Sequence, residues 1–120
     1  MKDGNEADSQ RAPAWVDVAA FDALDPDFPL AVQVEGKDVG LYLQDGQVHA
    51  LENICPHAHA ILTDGFQEAG LIECPLHGAR FEIAGGRCLD EIGQRDLVCH
   101  RTRLNEGRVE IALADTDATD

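Results

Sequence analysis

Four residues constrain this chain more than any other feature. Cys55 and His57 stand in the run Ile54-Cys55-Pro56-His57-Ala58-His59-Ala60, and Cys74 and His77 in Glu73-Cys74-Pro75-Leu76-His77-Gly78-Ala79-Arg80-Phe81. The pattern is Cys-x-His, an interval of sixteen residues, then Cys-x-x-His. Each segment carries one thiol and one imidazole, so the four act together only if two segments face one another. A structural zinc finger divides its ligands differently, with two cysteines from one hairpin and two histidines from a helix. The surrounding stretch, Asn53 to Asp96, is rich in Gly, Pro, Cys and His and has only short apolar runs. These runs are too short for a full sheet, and the stretch reads as loops organised around a centre.

Outside that stretch the side-chain period is two, which buries one face of a strand and leaves the other wet. Trp15 to Val18 is expected to open the fold. Val32 and Val34 share a face of a second strand, and Val39, Leu41 and Leu43 share a face of a third, joined to it through Glu35-Gly36-Lys37-Asp38. Asp45-Gly46 turns the chain into Val48 to Leu51, and Asn105-Glu106-Gly107 joins Arg101–Leu104 to Val109–Leu113. In the last strand Val109, Ile111 and Leu113 are expected inward and Arg108, Glu110 and Ala112 outward. Pro26 and Pro29 limit any helix near Ala19 to Leu24 to a short turn. The fold class expected is all-β, with one domain over residues 14–114, a loop-rich part over about 53–96, and polar tails at 1–13 and 115–120.

Only six aromatic residues are available, four Phe, one Trp and one Tyr, so the interior must be mainly aliphatic. A small core gains from a metal cross-link. The formal charge is -14 and uneven: residues 1–79 carry 14 acids against 3 bases, residues 80–120 carry 9 against 6. Such a field repels nucleic acid and anionic lipid and favours a basic patch on a protein partner. There is neither a signal-peptide pattern nor an apolar run of about 18 residues, which predicts a cytoplasmic protein with no membrane partner. In a reducing compartment the four cysteines are expected as thiols or metal ligands, not disulfides.

Two facing loops would set two sulfurs deep and two imidazoles further out. One metal would then see Cys55 and Cys74, and a second His57 and His77. A two-iron, two-sulfide rhomb meets that demand. At this point the chain resembles the Rieske ferredoxins of bacterial aromatic ring-hydroxylating dioxygenase systems. The resemblance extends to Thr63-Asp64-Gly65-Phe66, Gly78 and Phe81, and covers roughly residues 15–113. It implies a β-sandwich base with a small inserted cluster-binding lobe, and one Rieske 2Fe-2S cluster on Cys55, His57, Cys74 and His77. It also implies a monomeric one-electron carrier, not itself an enzyme. Its expected partners are a flavin-dependent ferredoxin reductase and a terminal Rieske oxygenase, docking around the tips near His57 and His77.

Replacing two thiolates by neutral imidazoles removes negative charge from one iron and raises its potential, into a band of roughly -150 to +300 mV. High-potential relatives add a disulfide and hydroxyl donors. The corresponding positions here are Ala60 and Leu76 for the disulfide, Ala79 for a Ser and Phe81 for a Tyr, which places the expectation near the lower limit. Asp90-Glu91-Ile92-Gly93-Gln94 lacks the proline with which a third loop usually covers the cluster, and Ile92 is the expected cover.

Among neighbouring residues, Gly78 is expected to approach the cluster and donate N–H to sulfur, and Pro56 and Pro75 to stiffen the loops. His59 reads as a solvated loop histidine, and His49 and His100 as structural residues on strands. Cys88 and Cys99 read as small fillers on neighbouring strands. Arg80 either steers docking or pairs with an acid, and Asp22, Asp25 and Asp27 form a solvated turn. Two alternatives stay open: a Rieske subunit held in a reductase complex, resembling the small subunit of nitrite reductases, and a structural zinc-binding interaction module. An oxygenase needs a second domain with a mononuclear iron, for which about 25 residues after the lobe are too few. A Cys-His hydrolase lacks a nucleophile elbow.

Overall fold

A computed structural model describes residues 14–56, 60–76, 78–90 and 95–114. The expected tails at 1–13 and 115–120, and Ile92, lie outside them. Among the described residues, nine strands form two antiparallel sheets. The larger takes β1 (Val16–Ala20), β2 (Leu30–Val34), β3 (Lys37–Gln44), β4 (Gln47–Glu52), β8 (Cys99–Asn105) and β9 (Arg108–Ala112), in the order β1-β9-β8-β4-β3-β2. The smaller takes β5 (Phe66–Glu68), β6 (Leu71–Glu73) and β7 (Arg80–Glu82) in sequence order. This is the all-β sandwich-like base with an inserted lobe that the resemblance implies. The lobe, expected as loops with runs too short for a full sheet, contains a small sheet of its own. Its strands are three residues each, too short for alternation to register along the chain.

Four hairpins share one solution. In β2–β3, β3–β4, β5–β6 and β8–β9 the strands are joined by two residues only: Glu35-Gly36, Asp45-Gly46, Ala69-Gly70 and Glu106-Gly107. All eight have positive φ, between 52° and 84°. That is the turn whose twist matches the flanking strands, and glycine takes the second place because a Cβ is penalised there. The turns at 35 and 105 are thus tighter than expected, with Lys37, Asp38 and Asn105 already in strands.

The large sheet separates two cores. Val39 and Leu41 of β3, with Ala50, Val34, Val109 and Ile111, face one cluster. Tyr42 and Leu51 face the other, together with Cys55, Cys74, Ile72, Phe81 and Ile83 of the lobe. Consecutive residues of β3 and β4 therefore serve opposite cores, the direct result of a two-residue period. Gly40 leaves the gap into which Tyr42 and Thr63 pack: a Cβ there would lie 2.9 Å from Thr63 Cγ2 and 3.0 Å from the Tyr42 hydroxyl. In β9, Val109 and Ile111 are buried as expected, but Ala112 is buried too. The short turn at Phe21–Ala23 is a 3₁₀ turn, within the expected segment.

Candidate metal centre

Two hairpins with one plan build the site. In the first, Ile54 bridges Ile61 and Cys55 N–H donates to the Ala60 carbonyl at 2.8 Å. In the second, Glu73 pairs with Arg80 and Cys74 N–H donates to the Ala79 carbonyl at 2.8 Å. Each cysteine is the last paired residue before its hairpin's tip, the chain pairing again at Ala60 in one and Ala79 in the other. Both are buried, at 0% and 1% exposure, and both belong to the same apolar cluster. None of the cysteines forms a disulfide. Two buried thiols in one dry pocket, each opening a tip that carries a histidine in sequence, form a donor set suited to a soft, sulfide-bridged metal pair. His57, His59 and His77 lie outside the described residues.

Supporting contacts hold the hairpins in place. Asn53, buried at 2% exposure, donates from Nδ2 to Thr63 Oγ1 and accepts the Thr63 N–H at Oδ1, both at 2.9 Å. Its carbonyl accepts the Leu62 N–H at 2.8 Å. The chain returning from the first tip is thereby fastened to the end of β4. Gly65, directly after the 3₁₀ turn Leu62–Asp64, lies against the Glu73 carbonyl and Pro75, so that a Cβ would overlap that oxygen. The exit of one hairpin and the entry of the other are in contact there. Nothing in the sequence singles out Asn53; a buried Asn two residues before a ligand-type Cys is a signal only once its partner Thr63 is known.

The remaining candidates resolve as follows. Gly78 has φ +80°, and its N–H donates to the Cys74 carbonyl at 3.1 Å. Ala79 and Phe81, where hydroxyls were expected to be missing, are fully buried beside Cys74. Arg80 approaches Asp90, Nε to Oδ2, at 3.6 Å, and its N–H donates to the same carboxylate. Cys88 is a partly buried filler whose Sγ donates to the Asp90 carbonyl. Cys99 differs from expectation: it lies exposed on β8, and Cys88 bridges Phe81, so the two are not neighbours on paired strands. His100 is structural, with Nδ1 accepting the Ala114 N–H at 2.9 Å. Burial lowers its pKa, and that of the half-buried His49 on β4. Asp22, Asp25 and Asp27 are exposed, with Asp25 accepting the Asp27 N–H.

A family model described as the Rieske [2Fe-2S] domain matches residues 14–101. The ferredoxin component of a naphthalene 1,2-dioxygenase system from Pseudomonas aeruginosa is 36% identical over 100 residues, covering 83% of this chain and 96% of that one. The ferredoxin of carbazole 1,9a-dioxygenase from Nocardioides aromaticivorans IC177 superposes with a TM-score of 0.79 at 30% identity, over 84% of this chain and 99% of its own. A further similar structure is a complex of reduced oxygenase and oxidized ferredoxin in carbazole 1,9a-dioxygenase, with a TM-score of 0.77 and 27% identity over 84% of this chain and 94% of that chain.

Proposed function

From the premise that the chain belongs to the Rieske [2Fe-2S] domain family, we propose that it is the ferredoxin component of a multicomponent aromatic ring-hydroxylating dioxygenase system. It carries one electron at a time from a flavin-dependent reductase to a terminal oxygenase, and is not itself an enzyme. The observation that carries this reading is coverage: the chain matches nearly the full length of ferredoxin components of such systems. The reading takes 14–114 as one domain with the lobe over about 53–96, Cys55 and Cys74 as thiolate ligands, and His57 and His77 as imidazole ligands. When bound, the 2Fe-2S group supplies reversible one-electron storage.

The chain's own residues supply the rest. The two hairpins hold the thiols in a dry core, which keeps water from the sulfur side. Their tips form the proposed docking face, where the path to a partner is shortest. Leu76 within the second tip and Phe66 on β5 are exposed, at 56% and 67%, and suit burial against a partner. Among the described residues no helix is long and apolar enough to cross a membrane; a cytoplasmic monomer is part of the proposal.

Anaerobic purification tests it. About two irons and two acid-labile sulfides per chain are expected, with an EPR signal on reduction, and electron delivery to an aromatic ring-hydroxylating oxygenase when a flavin reductase and NADH are added. One zinc and no sulfide would leave the interaction-module reading instead. A loaded protein that purifies only within a reductase complex, and reduces no oxygenase, would favour the reductase-subunit reading.

A further inference from the structure

Arg95 and Glu52 are 43 residues apart in sequence, yet meet in a two-pronged pair. Arg95 Nη1 and Nη2 donate to Glu52 Oε1 and Oε2, each at 2.8 Å, a geometry reserved to guanidinium and carboxylate. Glu52 Oε1 accepts the Val98 N–H at 2.9 Å, the Glu52 N–H donates to the Val98 carbonyl at 2.8 Å, and Arg95 Nη1 also reaches the Asp96 carbonyl. Segment 95–98 is thus stapled to the end of β4, three residues before Cys55. Arg95, Glu52 and Ile54 line one groove together with Lys37, Asp38 and His100. The guanidinium is held charged chiefly by its hydrogen bonds to Glu52, against partial burial, with smaller contributions from the charges of Glu52 and Cys55.

We propose that the Glu52–Arg95 pair, at the end of the strand that leads into Cys55, is a tuning and positioning unit for the cluster, a permanent positive charge whose field is offset by Glu52 and which anchors the segment following residues 91–94. This inference rests on the ferredoxin reading above. Reduction adds one electron and no other species, so a nearby positive charge stabilises the reduced form and a negative one destabilises it. Glu52 carries only 20% side-chain exposure, so its charge is incompletely screened, while the charge of Arg95, at 51%, is screened more.

The test is a redox titration of loaded protein, with iron and sulfide counted in every sample. Glu52→Gln leaves the cation uncancelled and is expected to favour the reduced form by about threefold to tenfold, the upper figure being about 59 mV for a one-electron couple. Arg95→Gln leaves the carboxylate and shifts the midpoint down by a similar factor, and the double variant returns toward wild type. Loaded single variants with the wild-type midpoint, or both moving in one direction, overturn the proposal. Should Arg95→Gln not fold, Arg95→Lys keeps the charge without the two-pronged bond; its midpoint is expected at the wild-type value, and a downward shift as large as that expected of Arg95→Gln overturns the proposal. Wild-type protein free of iron and sulfide would instead overturn the ferredoxin reading on which this rests.

Discussion

Cys55 and Cys74 occupy equivalent positions in two hairpins, each donating its N–H at 2.8 Å to an alanine carbonyl five residues on. The ligand-type residues are therefore placed by strand pairing, not by free loops, and their thiols enter the core before any metal is considered. Replacing either by Ser keeps the hairpin bond but removes a soft ligand. Cys55→Ser and Cys74→Ser are expected to fold with native far-UV dichroism and to lose the visible absorbance and most of the iron. Full cluster content in either would remove that residue from the ligand set.

Asn53→Ala breaks two side-chain bonds to Thr63 in a buried setting and leaves the Thr63 N–H unpartnered. The expected loss is about 2–4 kcal/mol, read from the urea midpoint at constant slope. A loss under about 0.5 kcal/mol would mean that Thr63 finds other partners.

Gly65→Ala and Gly36→Ala separate close approach from turn strain. At Gly65 the added methyl meets the Glu73 carbonyl, and overlap with backbone has no cheap relief, so a cost of about 3 kcal/mol or more is expected. At Gly36, φ is +84° with nothing within 4 Å, so the cost is the left-handed penalty alone, about 1 kcal/mol. Thermal unfolding of both variants checks the order; equal costs would refute it.

Stability should fall in mild acid through His100. The folded imidazole accepts the Ala114 N–H at Nδ1, and its pKa is lowered, first by burial and then by Lys37, against the opposing charge of Glu52. The unfolded residue binds a proton at about pH 6.5, the folded one only at lower pH. The unfolded state thus takes up more protons in that window, so stability is full above it and declines as pH falls toward the folded pKa. His49 acts in the same sense through burial. His100→Asn is expected to flatten the melting-temperature profile between about pH 7.5 and 5; an unchanged slope would assign it elsewhere.

The midpoint potential should lie near the lower end of the band of roughly -150 to +300 mV, because Ala79 and Phe81, buried beside Cys74, carry no hydroxyl. A value above about +100 mV, well up that band, would show another donor to the sulfurs.

The two cysteines that share one core were legible because ligand chemistry acts through residue type and spacing. Cys55 and Cys74 stood out for that reason, as did Asp45-Gly46, whose turn chemistry is local. What escaped was non-local or too short. The three-residue strands of the lobe show no period, and Ala69-Gly70 carries a positive-φ turn without Asn or Asp to mark it. Ala112 counts as outward by alternation, yet is buried. Cys99 reads as a filler and lies exposed.

The chain alone determined the strands of the larger sheet, the turn at Asp45-Gly46 and the two Cys-Pro segments, since each depends on neighbours within a few residues. Only the tertiary structure decided that both thiols enter one core, that Asn53 grips Thr63, and that Arg95 finds Glu52 across 43 residues. Contacts of that separation depend on which face of which strand meets another, and a local period does not encode that.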